Sequence, residues 1–389
     1  MPETLTPVEN GILSAGERRA SFEAYGQLKT GRERPSRYWK IDLDTLDFSD
    51  FKVIPSSNEA RISGGTGRGV ITCDLETAQH DHAAIFSKAF GAALELSPSK
   101  FAHLTRTFCS GGAFIYVPDD VAVDEPIVVR YSPKSGAAFP YTLVVLGKGA
   151  QCTIIEEISS NDTGIVSAAV AEIICGESSQ ITYAAIQELP EDAQALATRV
   201  ALPAKDATVT WAVAELGAQL SASSIDVTLN QPGVSANVAA IFFPRGDQHV
   251  DMISTVDHRT GSTQSQTLIK SAAVGHGQAR YLGNIRIHPN AHGTDASLRD
   301  DALLLSKTAH IDSVPALEIA ANDVKAFHGA TVGAIDEEQI FYMTSRGLDR
   351  RESERMIALG FFEPALERFP GEALRSRLRA ALETKVFSE

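Results

Sequence analysis

The chain is poor in cysteine. Cys73, Cys109, Cys152 and Cys175 are the four present in 389 residues. No two stand in CxxC spacing, which excludes a metal knuckle or a dithiol redox pair. So sparse a set fits a reducing compartment and a cytoplasmic protein, with each thiol serving as a small core residue. No cysteine follows Cys175, so the C-terminal half supplies no thiolate ligand. Long apolar runs are missing too. No segment approaches the roughly 20 apolar residues of a membrane helix. The opening MPETLTPVENG has neither a basic cluster nor an apolar run, so it does not read as a secretory signal. Basic residues are in deficit, 35 Lys+Arg against 49 Asp+Glu, for a net charge of −14. That field repels phosphate backbones, so nucleic acid is not an expected partner. The densest basic stretch, Arg346–Arg355, alternates with Asp349, Glu352 and Glu354 and reads as a solvated helix face. There is no GxSxG, HExxH, Walker or kinase signature.

What is present divides into three zones: a helical region at 1–110, a β core at 111–335 and a helical tail at 336–389. Hydrophobic residues at 43% and charged residues at 22% are ordinary for a globular chain. Phe22, Tyr25 and Leu28 place a modest apolar stripe on a helix over Gly16–Lys29, closed by Gly31 and Pro35. Tyr38–Leu43, YWKIDL, offers aromatics that either pin a tail segment or meet a partner. The run Gly64-Gly65-Thr66-Gly67-Arg68-Gly69 lacks the Lys-Ser/Thr ending of a phosphate loop and reads as a flexible loop. His80–Phe108 reads as one or two helices, and His80 and His82, two apart, do not share a helix face.

From Gly111 the period changes to short β-branched and apolar runs separated by Gly, Pro, Asp and Asn, continuing to Val324–His328. A single sandwich or barrel of that length would be very wide, and twisted sheets so wide split or curl. Stacked rungs extend without limit, which favours a solenoid. Its ends need covering, and the helices on either side of the β region are placed to do that.

After Ile335 the chain turns helical. Asp336 caps with Gln339 as its reciprocal partner, and Gly347 stops the first helix. A second helix starts at Asp349 and is broken at Gly360-Phe361-Phe362. Leu374, Leu378 and Leu382 mark a third over Gly371–Phe387. These helices are either a docked cap or a partner surface, the latter suggested by Phe361-Phe362.

Histidines are the main chemical candidates: His288, His292, His310 and His328 fall in the last rungs. His288 and His292 share a turn whose imidazoles could chelate, though surface turn histidines are common. His328 ends a strand and faces a Gly-Ala-Thr turn. β-Helix enzymes acting on acidic polysaccharides use clustered carboxylates, and a carbohydrate-active enzyme is one alternative reading. The adjacent pairs Glu156-Glu157 and Asp300-Asp301 are poor acid/base partners, because neighbours on a strand point to opposite faces.

Several motifs converge. They are T-D-A at Thr294–Ala296, L-L-L-S at Leu303–Ser306, P-A-L-E-I at Pro315–Ile319, N-D-V-K at Asn322–Lys325, H-G-A-T-V-G at His328–Gly333, D-E-E-Q-I-F-Y at Asp336–Tyr342 and S-R-G-L at Ser345–Leu348. Together they resemble the SufB/SufD family of iron–sulfur cluster assembly scaffold proteins. YWKIDL is similar to the W-K-Y-T-D-L signature of SufD members. H-G-A-T-V-G is similar to the SufD side, where SufB members more usually carry H-E-A-T-T-S and an earlier functional cysteine absent here. A SufB-type subunit is the other alternative.

The resemblance implies a mainly β chain, with a right-handed parallel β-helix core between helical ends. It implies a non-catalytic scaffold that pairs with SufB and docks the ABC-type ATPase SufC through its C-terminal helices. No cofactor is expected to stay bound to the chain alone, only transient iron or an iron–sulfur cluster at the SufB interface. A homodimer stays open. Many SufD members read C-S-H-G-A-T, whereas this chain has Ala326-Phe327-His328. Positions 326 and 328 share a strand face, so the imidazole alone remains of a Cys–His pair. His328 is the candidate iron or cluster ligand. The expected partner contacts are Val324, Lys325 and Thr331 on the last strand, with Phe341, Tyr342, Arg346, Phe361 and Phe362 on the tail.

Overall fold

The computed structural model describes residues 12–28, 52–65 and 67–387. Tyr38–Leu43 lies outside them. The first helix, α1 (Ala15–Gln27), opens on a capping box in which Ser14 accepts from the Glu17 amide and the Glu17 carboxylate accepts from the Ser14 amide. Strands β1 (Arg61–Ser63) and β2 (Ile71–Asp74) follow. The glycine-rich run links these two strands and opens no helix. His80–Phe108 resolves into four short helices rather than one or two: α2 (Leu75–Asp81), α3 (Ala83–Ala89), α4 (Ala92–Leu96) and α5 (Lys100–Phe108). The chain is punctuated there by Gly91 at φ 85° and by Ser97-Pro98.

The β region is a parallel solenoid of about eight turns. One sheet orders β1 beside β4 (Ile127–Tyr131), then β7 (Gln151–Ser159), β9 (Gln180–Glu188), β11 (Thr208–Glu215), β13 (Ser235–Phe242), β15 (Gln264–Ala273), β17 (Thr294–Leu304) and β19 (Val324–Ala334). The facing sheet runs from β2 through β3 (Ala113–Val117), β6 (Tyr141–Leu146), β8 (Ile165–Cys175), β10 (Gln194–Pro203), β12 (Leu220–Leu229), β14 (His249–His258) and β16 (Gln278–Ile287) to β18 (His310–Ile319). A short β5 (Gly136–Ala138) pairs β8 alongside. Each turn of the coil adds one strand to each sheet. Among the described residues only β1 and β2 pair antiparallel, and they end the sheets at the first turn.

Alternate residues point into the coil and fill it. Trp211 and Tyr183 are fully buried there, with ring centroids 4.8 Å apart. Several polar groups in this interior are paired, although Trp211 Nε1 has no hydrogen-bond partner among the described residues. Glu156 accepts from Thr142 Oγ1 (2.5 Å) and Tyr183 Oη (2.7 Å), and burial raises its pKa. Arg199 Nη1 lies 2.9 Å from Glu215 Oε1, both side chains almost wholly enclosed. Glu157, one residue on, points outward and meets Arg130 Nε at 2.6 Å. The neighbouring carboxylates do split between faces, as alternation requires.

The helices do not cover the ends of the coil, contrary to the sequence expectation. They lie on its sides. The outer face of the β8–β16 sheet is lined by small apolar residues such as Ala168 and Ala222, and α5 seats Phe101, Leu104 and Phe108 there. Glu172, also outward-facing, receives the Gly91 and Ala93 amides at 2.7 and 2.8 Å and so anchors α4. The other sheet exposes Ala184, Ala212, Ala214 and Ala272 to the tail. That tail comprises α6 (Glu337–Ser345), α7 (Arg350–Leu366) and α8 (Glu372–Phe387). Flat apolar sheet faces present more surface to bury than the rim of the last turn does, and this draws the helices sideways.

Two local expectations change. Asp336 caps α6 by accepting from the Glu338 amide at 2.9 Å, without Gln339 as reciprocal partner. Helix α7 runs unbroken through Gly360 and even holds Pro364, because Phe362, Ala365 and Leu366 are buried against the sheet. That burial outweighs the lost backbone bond. Leu374, Leu378 and Leu382 face inward as expected. Among the described residues no helix is long and apolar enough to cross a membrane.

Lys385 ends the tail's buried side, donating to the Phe243 carbonyl at 2.8 Å and Gln248 Oε1 at 3.1 Å. Burial pulls its pKa down from 10.5 to about 7. The folded state therefore favours the neutral amine. Its stabilising contribution is complete above the unfolded value and is lost as pH falls toward about 7. Thermal melts of wild type and Lys385→Met are expected to diverge in favour of wild type as pH rises from about 7 to 10, and to keep a constant offset below that window. Parallel curves throughout would show the amine to be charged in the fold.

Candidate functional site

A strand within the coil satisfies its backbone on both sides. At the C-terminal end β18 and β19 each have a single neighbour among the described residues, β16 and β17 respectively. Two adjacent parallel edges are thus left open, one per sheet. The same end holds the exposed large apolar side chains of the described residues: Val314 and Ile319 on β18, Phe327 and Val332 on β19, and Phe341, Tyr342 and Met356 on the tail. Phe327 is 62% exposed and Phe341 74%. Isolated apolar residues on a surface need no explanation, but a cluster beside open edges marks a contact surface.

His328 lies within β19, not at its end. The strand continues to Ala334 through what the sequence reads as a turn. Its register partner is Leu298, whose side chain fills the coil interior. Ala326 and Val324 share that face and pack on the core. His328 is therefore an exposed inward-facing residue that crowns the last turn.

Asp300, on β17 below, also points inward and accepts from the Ser313 hydroxyl of β18. It is fully enclosed, and burial pushes its pKa up to about 7 against that hydrogen bond. Asp301 points the other way. Its Oδ2 takes Lys270 Nζ and Arg299 Nε, both at 2.8 Å, and its Oδ1 takes Thr331 Oγ1 at 2.7 Å. Burial alone would raise the Asp301 pKa. The Lys270 and Thr331 bonds and the nearby cations reverse that and hold it below the usual range.

The expected contact residues scatter over this end. Lys325 is exposed, while Thr331 is tied to Asp301. Phe341 and Tyr342 stand free on α6, with the Arg346 guanidinium 5.3 Å from the Tyr342 ring centroid. Phe361 is half-buried, its ring 4.4 Å from Lys270 Nζ. Phe362 is wholly enclosed against Phe243, so it is a core residue rather than a surface contact. It belongs to an unbroken helix, which removes the reason for expecting it outside. Phe327, Val332, Val314 and Ile319 were missed because a pairing edge cannot be told from an interior strand by residue type.

The remaining candidates do not assemble. Among the described residues no three or more His, Cys, Asp or Glu gather to hold a metal ion. His288 Nε2 meets Asp257 Oδ1 at 2.8 Å, and His292 sits in the adjoining exposed turn. His310 Nε2 meets Asp312 at 3.1 Å. Among the described residues His328 is thus a lone imidazole donor on the crown of the coil. The thiols do not help. Cys109, Cys152 and Cys175 are buried and Cys73 is half-buried. Burial pushes the first three up to about 12 and Cys73 up to about 11.

Known proteins share this sequence pattern. The family described as "SUF system FeS cluster assembly, SufBD core domain" matches residues 129–361, and "SufBD protein N-terminal region" matches residues 33–129. Iron–sulfur cluster assembly SufBD family proteins of Staphylococcus aureus and Staphylococcus epidermidis are 28% identical over 309 residues. The counterpart in Staphylococcus saprophyticus is 27% identical over the same length. Each alignment covers 78% of this chain but 66% of the relative, just under two thirds.

The raised thiol pKa values have a direct consequence. Treated with iodoacetamide at pH 8, the native chain is expected to react at less than about a tenth of the rate of the denatured chain at all four cysteines, read by peptide mass spectrometry. Rapid labelling of one thiol in the native state would identify an accessible thiolate.

Proposed function

Because this chain belongs to the SufBD family of SUF-system iron–sulfur cluster assembly proteins, we propose that it is the SufD-type scaffold subunit of such a complex. In this reading the last turn of the coil pairs with a SufB-like subunit, and the helical tail docks the SufC ATPase. The observation that carries it is the coincidence at one end of the molecule of two open strand edges, the exposed apolar residues and His328. Edge-to-edge pairing would extend each sheet into the partner and bury Phe327 and Val332.

The scaffold itself performs no bond chemistry. Iron or a nascent cluster is cargo, held at the joint by His328 and by ligands from the partner, with a thiolate as the natural complement. The absence of a cysteine beyond Cys175 supports the SufD type over the SufB type, since this chain brings no thiolate to its own crown. Lys325, Val324 and Thr331 lie along the pairing strand, and Phe341, Tyr342, Arg346 and the half-buried Phe361 along the tail, as the two docking zones.

Two experiments separate pairing from ligation on the terminal strand. Phe327→Asp combined with Val332→Lys is expected to abolish co-purification with the SufB-like subunit, because like a buried unpaired charge each would cost several kcal/mol at a paired edge. Retained pairing would remove the edge from the interface. His328→Ala is expected to leave the complex intact while cluster formation in a complementation assay falls at least about tenfold, since losing even an outer-shell partner of a ligand costs that much. Normal cluster formation would end the ligand role.

A further inference from the structure

Lys270, Asp301 and Thr331 occupy one row across three strands. Lys270 on β15 is the register partner of Asp301 on β17, and Asp301 is the partner of Thr331 on β19. All three point to the outer face that the tail covers. Asp301 bridges the row, because one carboxylate oxygen receives Lys270 and Arg299 while the other receives Thr331. The Lys270 and Asp301 side chains are 10% and 6% exposed. Neither strand ladder nor core packing requires so enclosed an ion pair, and a pair taken out of water survives only with good geometry and further hydrogen bonds.

What encloses it is the tail. The Phe361 ring of α7 stands over Lys270 with its centroid 4.4 Å from Nζ. That ring packs edge-on against buried Phe362, with centroids 5.2 Å apart, which fixes it to the helix seat. An ammonium over an aromatic face gains from the ring quadrupole, and the ring keeps water from the pair beneath. Lifting α7 would hydrate Lys270 and weaken its hold on Asp301, leaving exposed Arg299 as the remaining cation on that oxygen and loosening the carboxylate's aim at Thr331.

We propose that Asp301 is a positioning residue that ties the terminal strand β19 to the seat of helix α7 through Lys270 and Phe361. The seating of the tail then sets how firmly the strand bearing His328 is held. This is a property of the isolated chain, so it stands or falls separately from the scaffold reading above.

The test is amide hydrogen exchange of the full-length chain, read by mass spectrometry on β19 and α7 peptides. The variants are Phe361→Ala, Phe361→Leu, Thr331→Val, Thr331→Ser and the Phe361→Ala/Thr331→Val pair. Both Phe361→Ala and Thr331→Val are expected to speed exchange of the β17-bonded amides of β19 about three- to tenfold, the range of coupled side chains. Thr331→Ser keeps the hydroxyl and should restore wild-type protection. Phe361→Leu keeps the apolar cover without the π face, so it should fall between wild type and Phe361→Ala and keeps the test valid if the alanine variant unseats α7. The double variant should exchange no faster than the faster single one. Additive effects in the double variant, wild-type β19 exchange in both Phe361 variants, or a Thr331→Ser variant as fast as Thr331→Val would each overturn the link.

Discussion

The backbone hydrogen bond is the constraint on which this molecule turns. Every peptide group of a strand must find partners, and a coil meets that demand by making each turn the partner of the next. The scheme runs out at the two ends of the coil. At the first end, β1 and β2 reverse direction and end the ladders with short antiparallel strands. At the other end β18 and β19 have no such closure. The open edges follow from the architecture, and exposed apolar residues stand beside them.

The helices could have closed that end and do not. Their placement follows from small residues on the outer sheet faces. Rows such as Ala184, Ala212 and Ala214 present a flat apolar surface, and α7 and α8 bury it with Phe362, Leu366, Leu378 and Leu382. With the tail committed to the side of the coil, α6 passes close to the last turn without capping it, and Phe341 and Tyr342 remain free. Interior and exterior are coupled at the boundary, where the alternation of β17 sends Asp300 into the coil and Asp301 to the tail.

The solenoid was legible in the sequence from the density of short apolar runs and from the ordinary width limit of sheets. Its repeat was not. Strands covered on both faces read as continuous apolar runs, as in Ile165–Cys175, and not as an alternation. The helix and strand boundaries of residues 52–108 were blurred for a related reason: short elements anchored by tertiary bonds, such as α4 on Glu172, carry little local signal. The split of Glu156 from Glu157 and of Asp300 from Asp301 was legible, because period-two alternation needs no tertiary knowledge. Phe362 was misread because a Gly-Phe-Phe sequence cannot reveal that a sheet lies beneath it. His328 was identifiable as a residue by motif, but its place on the crown of the coil depends on register with Leu298, which only the fold supplies.

The two open edges are not equivalent. β18 carries Pro315 in mid-strand, along with Asp312 and Glu318. Proline lacks the donor a ladder needs, and charge along an edge deters pairing, so β18 is blunted against indiscriminate association. β19 has no proline. It presents Phe327 and Val332 beside Lys325, with glycines at 329 and 333 that let another backbone approach closely. An incoming strand would therefore meet a full row of donors and acceptors on β19 and an interrupted row on β18. Such asymmetry admits a partner whose own edges match one strong and one weak ladder, and it disfavours the extended stacking of identical ends that two unblemished edges would invite.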